Sequence, residues 1–187
     1  MKDIKFLIVG TAKSKISDSY YITERWRMWG VLFVTKKIES YWESLEEFNN
    51  RANQDFAMEN NFQFFDLLTE IYPNDAQIDL TDHNTQLDIK HNTEKIQNSH
   101  APNIIFNGKR AYLMYLLGLS LIDGREIKLT KLKKDVRDAH YGLQIDRFEN
   151  RLAVMGKEKN IYLAPNTSSN ANVFDEFVWI KILNEIK

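Results

Sequence analysis

The chain has 187 residues, of which 43% are apolar and 27% charged, with no cysteine and a formal net charge of −1. That length suits one domain with a sizeable core, and the lack of cysteine excludes disulfides, thiolate metal sites and a cysteine nucleophile. The near-neutral balance argues against a protein that coats nucleic acid, since phosphate neutralisation supplies most of such affinity. It leaves room for a local basic face.

The N-terminus, Met1–Phe6, lacks the long apolar stretch and cleavage site of a signal peptide. No apolar run approaches the ~20 residues that a membrane helix needs. Lys5–Gly10 (KFLIVG) is a short apolar run ending in glycine, as in a buried parallel strand. Thr11–Ser19 is polar and small, hence a loop. From Glu24 the spacing turns helical, with Trp26, Trp29, Leu32 and Phe33 on one face, and Tyr41–Ala52 repeats the signal. Phe62–Tyr72 is apolar and aromatic until Pro73-Asn74-Asp75 breaks it. Asp82–Ser99 is polar, with Leu87, Ile89 and Ile96 too irregular to set a period, so it reads as loop or weak helix.

Asn103–Phe106 is a second buried strand, followed by Asn107-Gly108 and a helix through Leu117. Ile127–Leu143 is basic and partly helical, Asn160–Leu163 is a last strand, and Asp175–Ile186 a last helix. The alternation predicts an α/β three-layer sandwich, in which helices cover both faces of a mainly parallel sheet of about four strands. Such sheets bind ligands beyond their strand C-terminal ends. That singles out the loops Gly10–Ser19, Asn107–Lys109 and Ala164–Asn172.

Gly10-Thr11-Ala12-Lys13-Ser14 has neither the spacing of a P-loop nor that of a dinucleotide fingerprint. Taken alone, it reads as a plain strand exit. Tyr20-Tyr21 can stack on a planar base, or simply pack the loop onto the next helix. Pro165–Asn172 is nearly all small polar groups between a strand and a helix. It suits hydrogen bonding to phosphates, an N-cap, or both. The four histidines show no metal-ligand spacing, and no nucleophile elbow is present. Two basic groups stand out, Lys13, Lys15, Arg25 and Arg27, and then Lys128, Lys131, Lys133 and Lys134; the second reads first as a solvated face.

Taken in order, these segments resemble the uracil-DNA glycosylase superfamily, particularly its mismatch-specific and hypoxanthine-type branches. Leu7-Ile8-Val9-Gly10-Thr11 resembles the first-strand motif. Tyr20-Tyr21 with Arg27 and Trp29 resembles the segment that stacks on a flipped base. Ile104–Lys109 resembles the central strand motif, Leu163–Asn172 the late loop motif, and Trp179 lies in the final helix as it often does there. The likeness covers most of the chain. It implies a protein that flips a damaged or modified base into a pocket and hydrolyses its N-glycosidic bond, with no metal or cofactor. The partner would be DNA, with no membrane, and the protein a cytoplasmic monomer.

By the same match Tyr21 stacks on the base, Gly10, Thr11 and Ala12 line the pocket, and Asn107 reads the base or positions water. Asn166, Thr167 and Ser168 hold flanking phosphates, and Ser169, Asn170 and Asn172 fill the duplex gap. Lys13 and Lys109 add cations to the DNA-binding set. One departure matters: Ala12 stands where many relatives carry a water-positioning Asn or Asp, and Glu24 is a substitute carboxylate suggested only by proximity. Two other readings stay open, a non-catalytic glycosylase-like nucleic-acid binder and an α/β enzyme acting on free nucleosides or nucleotides.

Overall fold

The structure is a computed structural model and describes residues 3–13, 26–39, 54–71, 77–126, 128–144, 159–167 and 175–186. The expected helix at Tyr41–Ala52 lies outside them. In chain order the elements are β1 (Phe6–Lys13), α1 (Trp26–Val34), α2 (Gln54–Glu59), β2 (Phe62–Ile71) and α3 (His83–Asn98). Then follow β3 (Asn103–Asn107), α4 (Lys109–Ile122), α5 (Leu129–Arg137), β4 (Gly142–Leu143), β5 (Asn160–Ala164) and α6 (Glu176–Glu185).

The strands form one five-stranded sheet in the order β2-β1-β3-β5-β4. All neighbours are parallel except β4, which runs antiparallel to β5 at the edge. The fold is therefore the expected α/β sandwich, with β2 and the two-residue β4 added to the three strands seen in the sequence.

Side chains alternate between the two faces of the sheet, and each face has its own core. Phe6, Ile8, Phe62, Phe64, Ile105 and Tyr162 pack with Trp29 of α1 and Trp179 of α6. Leu7, Val9, Ile104, Phe106, Ile161 and Leu163 pack under α3 and α4. α4 is buried at every position from Ala111 to Leu119, as expected of a helix that is apolar all round.

Three assignments change. Phe62–Ile71, apolar and aromatic in sequence but given no element type there, is a ten-residue strand. Its apolar positions, Phe62, Phe64, Phe65, Leu67 and Leu68, fit a helical period as well as an irregular edge strand. Asp82–Ser99 holds a full 16-residue helix, α3, with Asp82 as its N-cap accepting from the Thr85 amide at 2.8 Å. Its buried stripe is Thr85, Ile89, Asn92, Thr93 and Ile96, a regular helical spacing written mostly in polar residues. Finally, β1 runs on through Lys13 rather than ending at Gly10.

β1 sits inside the sheet. The chain leaves it for β2 on one side and later returns to β3 on the other. That reversal is a topological switch point, and it opens a crevice beyond the C-terminal ends of β1 and β3.

Candidate functional site

β1 pairs with β3 only as far as Val9 opposite Phe106. Beyond that level β1 continues against β2, with Gly10 opposite Asp66 and Ala12 opposite Leu68. β3 continues against β5, with Asn107 opposite Ala164. The two inner strands thus part at Gly10 and Asn107. Alternation turns Gly10, Asp66 and Asn107 toward the face covered by α1 and α6, the face of Ile8, Phe64 and Ile105. Gly10 is buried and adds no side chain, so the floor of the crevice is backbone, flanked by a carboxylate on one strand and a carboxamide on the other.

Asp66 is half-buried, and the sequence reading did not select it. The available signal was an acid inside an apolar run, and it points to the site only once Phe62–Ile71 is a strand paired with β1. Thr11 and Ala12 are half-buried, and Ala12 packs against the α3–α4 core. Lys13 is the last residue of β1.

The β3 end is tied to the loop after β5 by a reciprocal pair of hydrogen bonds. Asn107 Nδ2 donates to Thr167 Oγ1 at 3.1 Å, and the Thr167 amide donates to Asn107 Oδ1 at 3.0 Å. Thr167 is 0% exposed, so its hydroxyl faces Asn107 and not solvent. One amide N–H and one oxygen lone pair of Asn107 remain for other partners.

Gly108 makes this closeness possible. Its φ is +100°, and a Cβ there would sit 3.0 Å from the Asn166 Cβ. Its amide donates to the carbonyls of Phe106 at 3.0 Å and Ala164 at 2.9 Å. Asn166 is half-buried against this turn. Behind the loop, Trp179 Nε1 donates to the Pro165 carbonyl at 2.8 Å in a fully buried contact. This bond fixes α6 to the site and gives a physical reason for a tryptophan at that position.

α4 starts directly after Gly108, with no side-chain cap, so its positive dipole end lies beside Asn107. Lys109, its first residue, does not reach into the crevice. Its Nζ donates to the Arg137 carbonyl at 2.6 Å and lies 5.4 Å from the centre of the Tyr141 ring.

Among the described residues, β1 and the loop after β5 lie on either side of β3. Asn107 is the bridge from β3 to that loop. Tyr21, Glu24, Ser168, Ser169, Asn170 and Asn172 lie outside the described residues. Among the described residues no group of three or more His, Asp or Glu side chains is placed to hold a metal. No described helix is long and apolar enough to cross a membrane.

A second concavity, of about 490 Å³, lies at the other end of the sheet between Lys5, Lys36, Lys37, Phe56 and Asn61. Lys37 Nζ donates to the Ile186 carbonyl, and burial, then the nearby Lys5 charge, lowers its pKa. With Glu39 and Glu59 also lining it, this cleft is mixed in charge. No protein-family model matches the sequence, and comparison with curated proteins finds no match.

Proposed function

We propose that this chain is a DNA glycosylase-like protein of the uracil-DNA glycosylase type, with its site in the β1–β3 crevice. The observation that carries the reading is the convergence at the switch point. The first-strand segment, Asn107-Gly108 and Asn166-Thr167 are spread along the sequence, yet they occupy one end of one sheet. Ligands of such sheets bind at that place.

Hydrolysis of an N-glycosidic bond places positive charge on the sugar and negative charge on the departing base. The spare N–H of Asn107 and the α4 N-terminus suit the negative charge. Ala12 offers no group for water, and Asp66, beside Gly10, takes that role. Its carboxylate accepts a proton as the water oxygen bonds to the sugar C1′, and the C1′–N bond electrons leave with the base. Tyr21 remains the stacking residue that the resemblance implies.

A second reading, non-catalytic binding, is favoured by one observation: half of the hydrogen-bonding capacity of the Asn107 amide is spent on Thr167. Incubation with duplex and single-stranded oligonucleotides carrying uracil, hypoxanthine, xanthine or modified cytosines decides between the two. Alkali then converts each abasic site into a strand break. Breaks with one substrate support catalysis; salt-sensitive binding without breaks supports the binder; neither result removes both. A thermal shift with nucleosides but not oligonucleotides points to the free-nucleoside enzyme instead.

A further inference from the structure

Lys128–Tyr141 carries five cations against two carboxylates, in a chain whose net charge is −1. On α5 these charges are ordered. Leu129, Leu132 and Val136 form one stripe, with Val136 buried and the two leucines packed against the α3–α4 core. At 100° per residue, Lys133, Arg137, Lys134 and Lys131 fall in sequence round the opposite arc, and all four are exposed. Asp135 lies at its edge, and the Arg137–Asp138 ion pair at 3.1 Å is exposed and weak.

A basic helix face is ordinarily just solvated. The placement of this one is what distinguishes it. Its last turn is fastened to the crevice by Lys109, two residues after Asn107, which donates to the Arg137 carbonyl. The segment after it returns as β4 beside β5, with Gly142 opposite Leu163, one residue before the loop that holds Thr167. His140 and Tyr141 are exposed between the two, and Tyr141 meets the Lys109 ammonium. Lys109 thus holds a helix that carries four exposed cations.

We infer that the Lys131–Arg137 face of α5 is a docking surface for the phosphate backbone of duplex DNA flanking the crevice. This rests on the glycosylase-like reading of that crevice and adds the partner's position. Residues three and four apart on a helix are about 5–6 Å apart at Cβ, so Lys131 with Lys134 and Lys133 with Arg137 make two short cationic rows. Each phosphate neutralised releases counterions, which gives the surface a salt signature.

The test is a Lys131→Gln/Lys134→Gln double variant of the full chain, with Lys36→Gln, at the far end of the sheet, as the control. Binding to a duplex of about 20 base pairs with a central tetrahydrofuran abasic analogue is measured as salt is raised from about 50 to 200 mM. The slope of log K against log salt should flatten by about 2 units in the double variant. Wild type then loses roughly tenfold more affinity over that range than the variant does. Lys36→Gln should keep the wild-type slope. Wild-type binding with an unchanged slope in the double variant would overturn the α5 surface and leave the proposed function standing. Equal flattening in the control would also overturn it, as an effect of net charge. Absence of wild-type binding at low salt overturns both.

Discussion

Replacing Asn107 separates architecture from chemistry at this site. In Asn107→Ala the Thr167 amide loses its acceptor and the Thr167 hydroxyl its donor. Thr167 is fully buried, so water does not replace them without opening the loop. A buried polar group left unpaired costs about 1–3 kcal/mol, so the substitution should cost about 2–4 kcal/mol. In a chain of this length that lowers Tm by roughly 4–16 °C. Asn107→Asp behaves differently. One carboxylate oxygen still accepts from the Thr167 amide, and the other accepts from the rotated hydroxyl, so stability stays within about 1 kcal/mol of wild type. What the aspartate lacks is the spare N–H beside the α4 N-terminus, and its charge opposes a departing base anion. It should therefore fold normally and lose base release. Denaturant unfolding with matched glycosylase assays reads both quantities. If Asn107→Ala loses less than about 1 kcal/mol, the Thr167 groups are satisfied elsewhere and the latch does not hold the loop. If Asn107→Asp is fully active, Asn107 is a latch alone.

Asp66→Asn should lower the rate of base release by about 10²–10⁴-fold while leaving duplex affinity in place. A rate in the variant within about tenfold of wild type would remove Asp66 from the chemistry. Gly118→Ala places a Cβ 2.0 Å from Thr93 Oγ1 and 2.7 Å from Thr93 Cβ. Thr93 is branched and fully buried where α3 packs on α4, so overpacking of about 1–3 kcal/mol should exceed the gain of about 1 kcal/mol in helix propensity. Thr93→Ala should recover part of it in a thermal melt, and a stabilised Gly118→Ala would show that the helices separate freely. The Asp82 carboxyl is held below its ordinary value of 3.8, first by the Thr85 amide and then by the Thr85 hydroxyl. Because the folded pKa is depressed, the stabilisation is complete above that value and is lost as pH falls through the folded pKa. Asp82→Asn keeps a capping oxygen that does not titrate, so its Tm should fall less steeply in acid than wild type; parallel curves would contradict the cap.

The inner strands were legible because parallel strands buried on both faces are written as unbroken apolar runs, as in KFLIVG and NIIF. α3 was not, because its buried stripe spends three of five positions on Thr85, Asn92 and Thr93. Of these, Asn92 answers to a tertiary partner: its Nδ2 donates to the Leu67 carbonyl at 3.1 Å, joining α3 to β2, and to Asp88 at 3.0 Å. A hydropathy period cannot register a side chain that is buried because it is hydrogen-bonded. β2 failed for the converse reason, since an edge strand mixes buried and wet positions and loses its alternation.

The same distinction governs the site. Glycine after a strand, a strand-end asparagine and a small polar loop announce local chemistry, so Gly10, Asn107 and Asn166 could be named from sequence. Asp66 and the α5 cations belong to the site only through register and helix placement, which no short motif encodes. Asp66 gains its meaning from lying opposite Gly10, and α5 gains its own from one lysine–carbonyl bond to Arg137. Ala12, the apparent defect in the first motif, changes sense in that setting. Its side chain packs against the α3–α4 core, and the neighbouring strand places a carboxylate beside Gly10, two residues earlier in the register. Asp66 pairs with Gly10 rather than with Ala12 and turns to the α1–α6 face, so its carboxylate is a separate position on the neighbouring strand, about 4.8 Å away, and not a transfer of the group missing at Ala12. On this view the Asp66→Asn rate, rather than any change at Ala12, decides whether the crevice is a catalyst or only a grip.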